Sequence, residues 1–358
     1  MEYTAEERAM IWLNSLSQIE YRGKIALLRA AKDPAKLLTD WEKIFPAVIK
    51  DGKGRVYNID RASREKQADG ILRSLEEKGY FALTLVSGDY PENLKVISDP
   101  PLVLYGAGRR ELLKRRRFCI VGSRMTPPWA EKQARTFSEK LSSRFVIVTG
   151  LAEGGDRAAI DGALDSGNLI SVLPCGLDHC YPQAHISLKE KIRSRGLLLS
   201  EYPPETPSKK FYFPARNRIL AGLSEGVLVV SARANRSGAL ITAGHAAEYG
   251  RDVFAFPYNI GFTQGSGCNE LIKKGAYLVT GAEDILSVYG MEAPAQQRAA
   301  LTDGERRILQ ILRANGELHA AKAAQLCGMS IPEAAATLAS LEMKNLVVKA
   351  GGNRYSAL

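Results

Sequence analysis

Nowhere in the 358-residue sequence does an apolar stretch approach the ~20 residues that a membrane-spanning helix needs, so a helical membrane protein is excluded at the outset. A disulfide framework is missing too. The five cysteines are odd in number and widely scattered, the pattern of reduced thiols in a cytosol. The first ten residues carry Glu2, Glu6 and Glu7 where a secretory signal would place basic residues. The expectation is a cytoplasmic chain.

Catalytic constellations are equally scarce. There is no P-loop lysine and no Gly-x-Ser-x-Gly elbow. His179 and His185 lie near Cys175 and Cys180, but Cys-x4-Cys is not a common zinc spacing. Ser237 has no assignable base. No catalytic residue, no metal and no cofactor is expected, and the reading is that the chain is not an enzyme.

What the sequence does contain is an ordinary globular balance, 45% hydrophobic and 25% charged, over a length that calls for two or three domains. The net charge is +10. Residues 111–300 carry 24 Lys and Arg against 18 Asp and Glu, so most of the excess lies in the middle of the chain. Polyanions are plausible partners, although such an excess also serves solubility.

The middle segment alternates apolar β-branched runs with helical patterns. Phe118–Val121 precedes a helix from about Trp129 to Ser143, and Phe145–Val148 follows; further runs begin at Leu169, Leu197, Gly226, Asp252 and Tyr277. The runs are continuously apolar, as strands covered on both faces should be. This βαβ rhythm predicts an α/β fold with a doubly wound, Rossmann-like sheet. Ahead of it, the first residues read as helical, with Tyr21–Lys24 as a turn between two short helices or part of a nucleic-acid-binding variant. After it, Thr302 with Glu305 three residues on starts a helix. A second helix near Ala320–Leu326, a third over Ser330–Lys344 and a small β-wing give winged-helix patterning. That third helix has no Lys or Arg between Ile331 and Met343, which favours protein contact over DNA reading. The expected domains are a helical, SAM-like domain over 1–75, the Rossmann-like domain over 76–290, a linker over 291–300 and the winged helix over 301–358.

Four segments carry candidate chemistry. Gly122-Ser123-Arg124 follows the first strand and precedes a helix, a corner that can hold a phosphate and is also a common α/β turn. Gly150 to Asp156 forms a second glycine-rich turn, in which Asp156 either caps the next helix or touches a ligand. The segment from Lys209, Lys210, Phe211 and Phe213 to Arg216, Asn217 and Arg218 interleaves four cations with three aromatics. Single strands favour that mixture, because unpaired bases stack on aromatic rings while cations track phosphates; the alternative is core anchors beside a solvated face. Finally Arg236, Ser237, Gly238 and Thr242 start a helix after the strand at Val227–Val230.

In order along the chain, these motifs resemble those of the DprA (DNA-processing, Smf) family. The likeness runs from Val121-Gly122-Ser123-Arg124 through Thr149–Ala152, Gly176-Leu177-Asp178, Tyr181-Pro182 and Ser200–Pro204 to Phe213–Leu223, Ser237–Ala243, Gly250-Arg251 and Gly265–Asn269. The resemblance implies binding and protection of single-stranded DNA, help in loading RecA recombinase during DNA uptake in natural transformation, and a homodimer through the sheet domain. DNA contacts carry over to Arg124, to Lys209 and Phe211 with their neighbours, and to the Arg216–Arg218 stretch. Three positions depart from the family: Ala215 replaces a second arginine, Ser231 an acidic residue, and Glu153-Gly154-Gly155 the usual Arg-Gly-Ile. The rival reading is a nucleotide-binding or nucleotide-cleaving enzyme of the lysine-decarboxylase-like Rossmann group.

Overall fold

The computed structural model describes residues 2–48, 60–234, 237–291, 301–344 and 346–357, in two compact units, Met1–Met291 and Glu292–Leu358. Most of the expected linker, residues 292–300, lies outside the described residues.

The first unit opens with helices α1 (Ala5–Ser15), α2 (Tyr21–Ala31), α3 (Lys36–Thr39), α4 (Trp41–Val48) and α5 (Arg61–Glu77). Thr4 caps α1, accepting from the Glu7 amide while the Glu7 carboxylate accepts from Thr4. Trp12, Trp41 and Phe45 form its aromatic core, with ring centroids 5.0 and 4.7 Å apart. The turn expected at Tyr21–Lys24 is instead the first turn of α2. Lys24 is buried there, donating to the Asn14 carbonyl at 2.8 Å, and burial lowers its pKa to about 8.

The sheet follows as β1 (Phe81–Thr84), α6 (Glu92–Lys95), β2 (Val103–Gly108), β3 (Arg117–Gly122), α7 (Pro128–Leu141), β4 (Val146–Thr149), α8 (Gly155–Ala163) and β5 (Leu169–Val172). It continues through α9 (Ile186–Arg195), β6 (Leu197–Ser200), α10 (Tyr212–Leu223), β7 (Gly226–Ser231), α11 (Gly238–Glu248), β8 (Asp252–Ala255), α12 (Ser266–Lys273), β9 (Tyr277–Leu278) and α13 (Ala282–Val288). Strand order is β1-β2-β6-β5-β4-β3-β7-β8-β9, and the seven strands from β6 to β9 run parallel. The core strands are buried along their length, save Gly122 at the end of β3, as helices on both faces require.

The order reverses between β3 and β7, so the chain winds outward in opposite directions from that pair. Loops leaving their carboxyl ends therefore diverge and leave a crevice, the place where open α/β sheets take ligands. The antiparallel pair β1 and β2 extends the sheet beyond β6 and was not legible as strands. Gly106 and Gly108 weaken the strand pattern of β2. A side chain at Gly106 is excluded because a Cβ would fall inside the Phe81 ring.

Arg218, expected among the DNA contacts, ties elements of this unit together through two carboxylates. Arg218 is 7% exposed, with Nε 3.0 Å from Asp99 Oδ2 and Nη2 2.7 Å from Glu201 Oε2. Burial opposes its charge, but the Glu201 and Asp99 carboxylates overcome that and raise its pKa. The bidentate grip on Glu201 joins α10 to the end of β6 and, through Asp99, to the loop before β2.

The second unit comprises α14 (Asp303–Asn315), β10 (Leu318–His319), α15 (Ala320–Cys327), α16 (Ile331–Met343), β11 (Val347–Ala350) and β12 (Arg354–Ala357), with strand order β10-β12-β11. Thr302 and Glu305 make the expected capping box. Glu305 also accepts from Lys344 and Ser340, tying α14 to the end of α16, and those bonds hold its carboxyl near a pKa of about 2.

Removing one partner of a buried charge pair strands the other, at a cost of roughly 3–5 kcal/mol. Arg218→Ala should lower the stability of the sheet unit by about that amount in urea unfolding. A loss below about 1 kcal/mol would mean that Arg218 is not a structural tie.

Candidate nucleic-acid interface

The crevice between β3 and β7 is a cleft of about 350 Å³ lined by Gly122, Ser123, Arg124, Phe213, Arg216, Asn217, Ser237, Gly238 and Thr242, among others. Nine of the thirteen expected site residues thus meet in one place, although they come from three separate stretches of sequence between Gly122 and Thr242.

The turn after β3 is set by close backbone approach. A Cβ on Gly122 would come within 2.8 Å of Gly155 Cα, and one on Gly154, at φ +72°, would fall 2.2 Å from the Ser123 carbonyl oxygen. Only glycine tolerates that approach and that dihedral angle. The Ser123 amide donates to the Ser231 carbonyl and to its hydroxyl, both at 3.0 Å, and Thr126 Oγ1 lies 2.6 Å from Ser231 Oγ. Ser231, one of the departures, is therefore a small hydroxyl that fastens the turn to β7. The Arg124 amide has no hydrogen-bond partner among the described residues.

Opposite this turn, α11 begins at Gly238 with no side-chain cap from Ser237; the Leu240 amide donates to the Ser237 carbonyl at 3.1 Å, while the Gly238 and Ala239 amides have no partner among the described residues. An anion is favoured there by both the free N–H groups and the helix dipole. Arg236 lies outside the described residues.

Arg124 is exposed and forms no ion pair among the described residues; its guanidinium sits 5.3 Å from the Phe213 ring centroid and 5.7 Å from that of Tyr181. Those two rings meet edge to face at 5.0 Å. The cation is thus held over an aromatic platform with its donors free.

The floor is polar and buried. Arg216, 5% exposed, donates to the Val172 carbonyl, and Asn217 donates to the Gly238 carbonyl at 3.1 Å. Thr242 is buried in the first turns of α11. Asp156 resolves as a residue of the first turn of α8, whose N-cap is Gly154. Burial pushes its carboxyl up, against the pull of Arg216, and burial likewise lowers Arg216 against the pull of Asp156. Gly150 lies between them, with no room for a side chain. Arg216 is therefore partly balanced from inside, and Arg124 supplies the uncompensated charge.

Lys209, Lys210 and Phe211 are exposed ahead of α10 and do not line the cleft. Lys209 Nζ lies 5.9 Å from the Phe211 ring and 5.7 Å from Tyr212, whose ring stacks on Tyr202 at 3.9 Å. Sequence reasoning did not place Tyr181 or Glu153 at the site. Tyr181-Pro182 stands far along the chain from either glycine turn, and only the layering of β5 beside β4 brings it there.

Residues 81–290 match the family description DNA recombination-mediator protein A, and residues 292–353 match that of the DprA winged helix domain. The chain is 42% identical to the DNA processing protein DprA of Streptococcus pneumoniae over 224 residues, covering 62% of this chain and 79% of that one. Identity to the Bacillus subtilis DNA processing protein DprA is 39% over 218 residues, covering 60% and 73%. The X-ray structure of the S. pneumoniae protein superposes with a TM-score of 0.66 at 36% identity, covering 80% of this chain and 98% of that one. A second structure, of DNA processing protein A from Helicobacter pylori, describes its single-stranded-DNA binding mode; it matches with a TM-score of 0.53 at 31% identity, over 59% of this chain and 95% of that one.

Proposed function

The chain belongs to the DNA recombination-mediator protein A (DprA) family, and from that premise we propose that it binds and protects single-stranded DNA in the cleft between β3 and β7. It then helps load RecA recombinase onto that DNA during DNA uptake. The observation that carries the reading is Arg124: an exposed guanidinium without an ion pair among the described residues, seated on Tyr181 and Phe213 beside the open start of α11. Phosphates meet the free amides and the guanidinium, while bases freed from a partner strand stack on the rings at about 1–3 kcal/mol each. Lys209, Lys210 and Phe211 extend the track along the lead-in to α10.

The role is binding rather than turnover. Ser237 has no hydrogen-bonded base among the described residues, and the one carboxyl in the floor, Asp156, is turned to the Gly122 amide and to Arg216. RecA loading is supported by the family's role as a recombination mediator. A second copy joined through the sheet unit belongs to the same reading. The β9 edge is two residues long and leaves Tyr277 and Leu278 half exposed.

Arg124→Glu should weaken binding to an oligonucleotide strongly and flatten its salt dependence by about one phosphate contact. The same variant should lose stimulation of RecA filament formation. Arg313→Glu on α14 is the control and should change little. Affinity within about twofold for both variants, or duplex bound as well as single strand, contradicts the cleft assignment. A monomer mass in light scattering at micromolar concentration contradicts the dimer.

A further inference from the structure

Beside the phosphate-facing cleft lies a smaller hollow of about 140 Å³, and the two share Arg124, Ala152, Phe213 and Arg216. Ligand pockets for drug-sized molecules begin at roughly 300 Å³, so this one has room for a single ring system. Its walls are apolar, from Tyr181, Phe213, Pro174 and Pro182. Its one acidic group is Glu153.

Glu153 is held in place from behind. His185, 3% exposed, presents Nδ1 to the Leu151 carbonyl at 3.0 Å and Nε2 to Glu153 Oε1 at 2.9 Å. The second carboxylate oxygen, Oε2, has no partner among the described residues. A carboxylate only accepts hydrogen bonds, and each oxygen can accept two. A pocket that reads a base with this group selects for donors.

Among the four DNA bases, guanine has two adjacent donors on its Watson–Crick edge, N1–H and the N2 amino group. Adenine and cytosine set a single amino group beside a ring acceptor, which would face a carboxylate oxygen unfavourably. Thymine flanks its one N–H with two carbonyls. Arg124 borders both the cleft and the hollow, so a nucleotide whose phosphate sits at Arg124 can turn its base into the hollow. Resting on the strand-binding reading above, we propose that the hollow takes one unstacked base of the bound strand and prefers guanine, with Glu153 as the residue that determines the preference.

Hydrogen bonds to a charged group strengthen when desolvated, and part of that gain is lost to competing water at the half-exposed Glu153. The test is fluorescence anisotropy with oligothymidylate carrying one central guanine, inosine, 1-methylguanine, adenine or cytosine. Wild-type protein should bind the guanine strand roughly tenfold more tightly than plain oligothymidylate. Inosine, lacking the N2 amino group, should fall between, and 1-methylguanine should lose the advantage. Glu153→Gln should bring the guanine-to-thymine ratio to within about twofold. If the wild type binds every strand alike, the base preference is wrong while strand binding stands. A guanine preference that survives Glu153→Gln removes Glu153 from the role. A protein that binds none of the strands overturns this inference and the strand-binding reading together.

Discussion

Everything at the cleft depends on two backbone segments lying in contact with no side chain between them. Gly122 at the end of β3 and Gly155 at the start of α8 meet with no space for a Cβ on either, and the amide of Gly155 donates to the Ser123 carbonyl at 3.2 Å. That contact bends the chain sharply enough to leave the Arg124 amide and guanidinium facing outward. It also draws Asp156 in behind the turn, where its carboxyl takes the Gly122 amide at 3.4 Å. A larger residue at either glycine would push the turn off the sheet and close the crevice that the reversal of strand order opens.

Charge in the cleft is layered as a result. The inner guanidinium, Arg216, is buried and works against a buried carboxyl, so it shapes the floor more than it attracts a ligand. The outer one, Arg124, is stacked on two rings and free to donate. Within the cleft a polyanion therefore meets an exposed cation seated over aromatic faces. Such a site suits a strand that offers both a phosphate and an exposed base.

Much of this was legible in the sequence. The continuous apolar runs marked the parallel strands because burial on both faces removes the polar alternation that would otherwise blur them. Thr302 and Glu305 marked the start of the winged unit because capping is a local interaction. The glycine turns and the Arg216-Asn217 stretch were visible as candidates. What was hidden is set by tertiary geometry. Arg218 has the same local sequence context as Arg216, yet helical rotation two residues on sends it to Asp99 and Glu201 instead of the cleft. Tyr181 and Glu153 reach the site only through the order of β4 and β5 beside β3. The strand β2 escaped notice because Gly106 serves close packing against Phe81 and Gly108 against the Gly196 carbonyl, which no local pattern encodes.

The central claim is that a single-stranded polyanion sits at the carboxyl ends of β3 and β7. Amide hydrogen exchange on the full chain, with and without a saturating oligonucleotide, tests it most directly. The account predicts slowed exchange at Ser123–Met125 and at the first amides of α11, with exchange in the winged unit from Asp303 to Ala357 unchanged. Slowed exchange confined to the winged unit, with both turns unaffected at saturation, would contradict it.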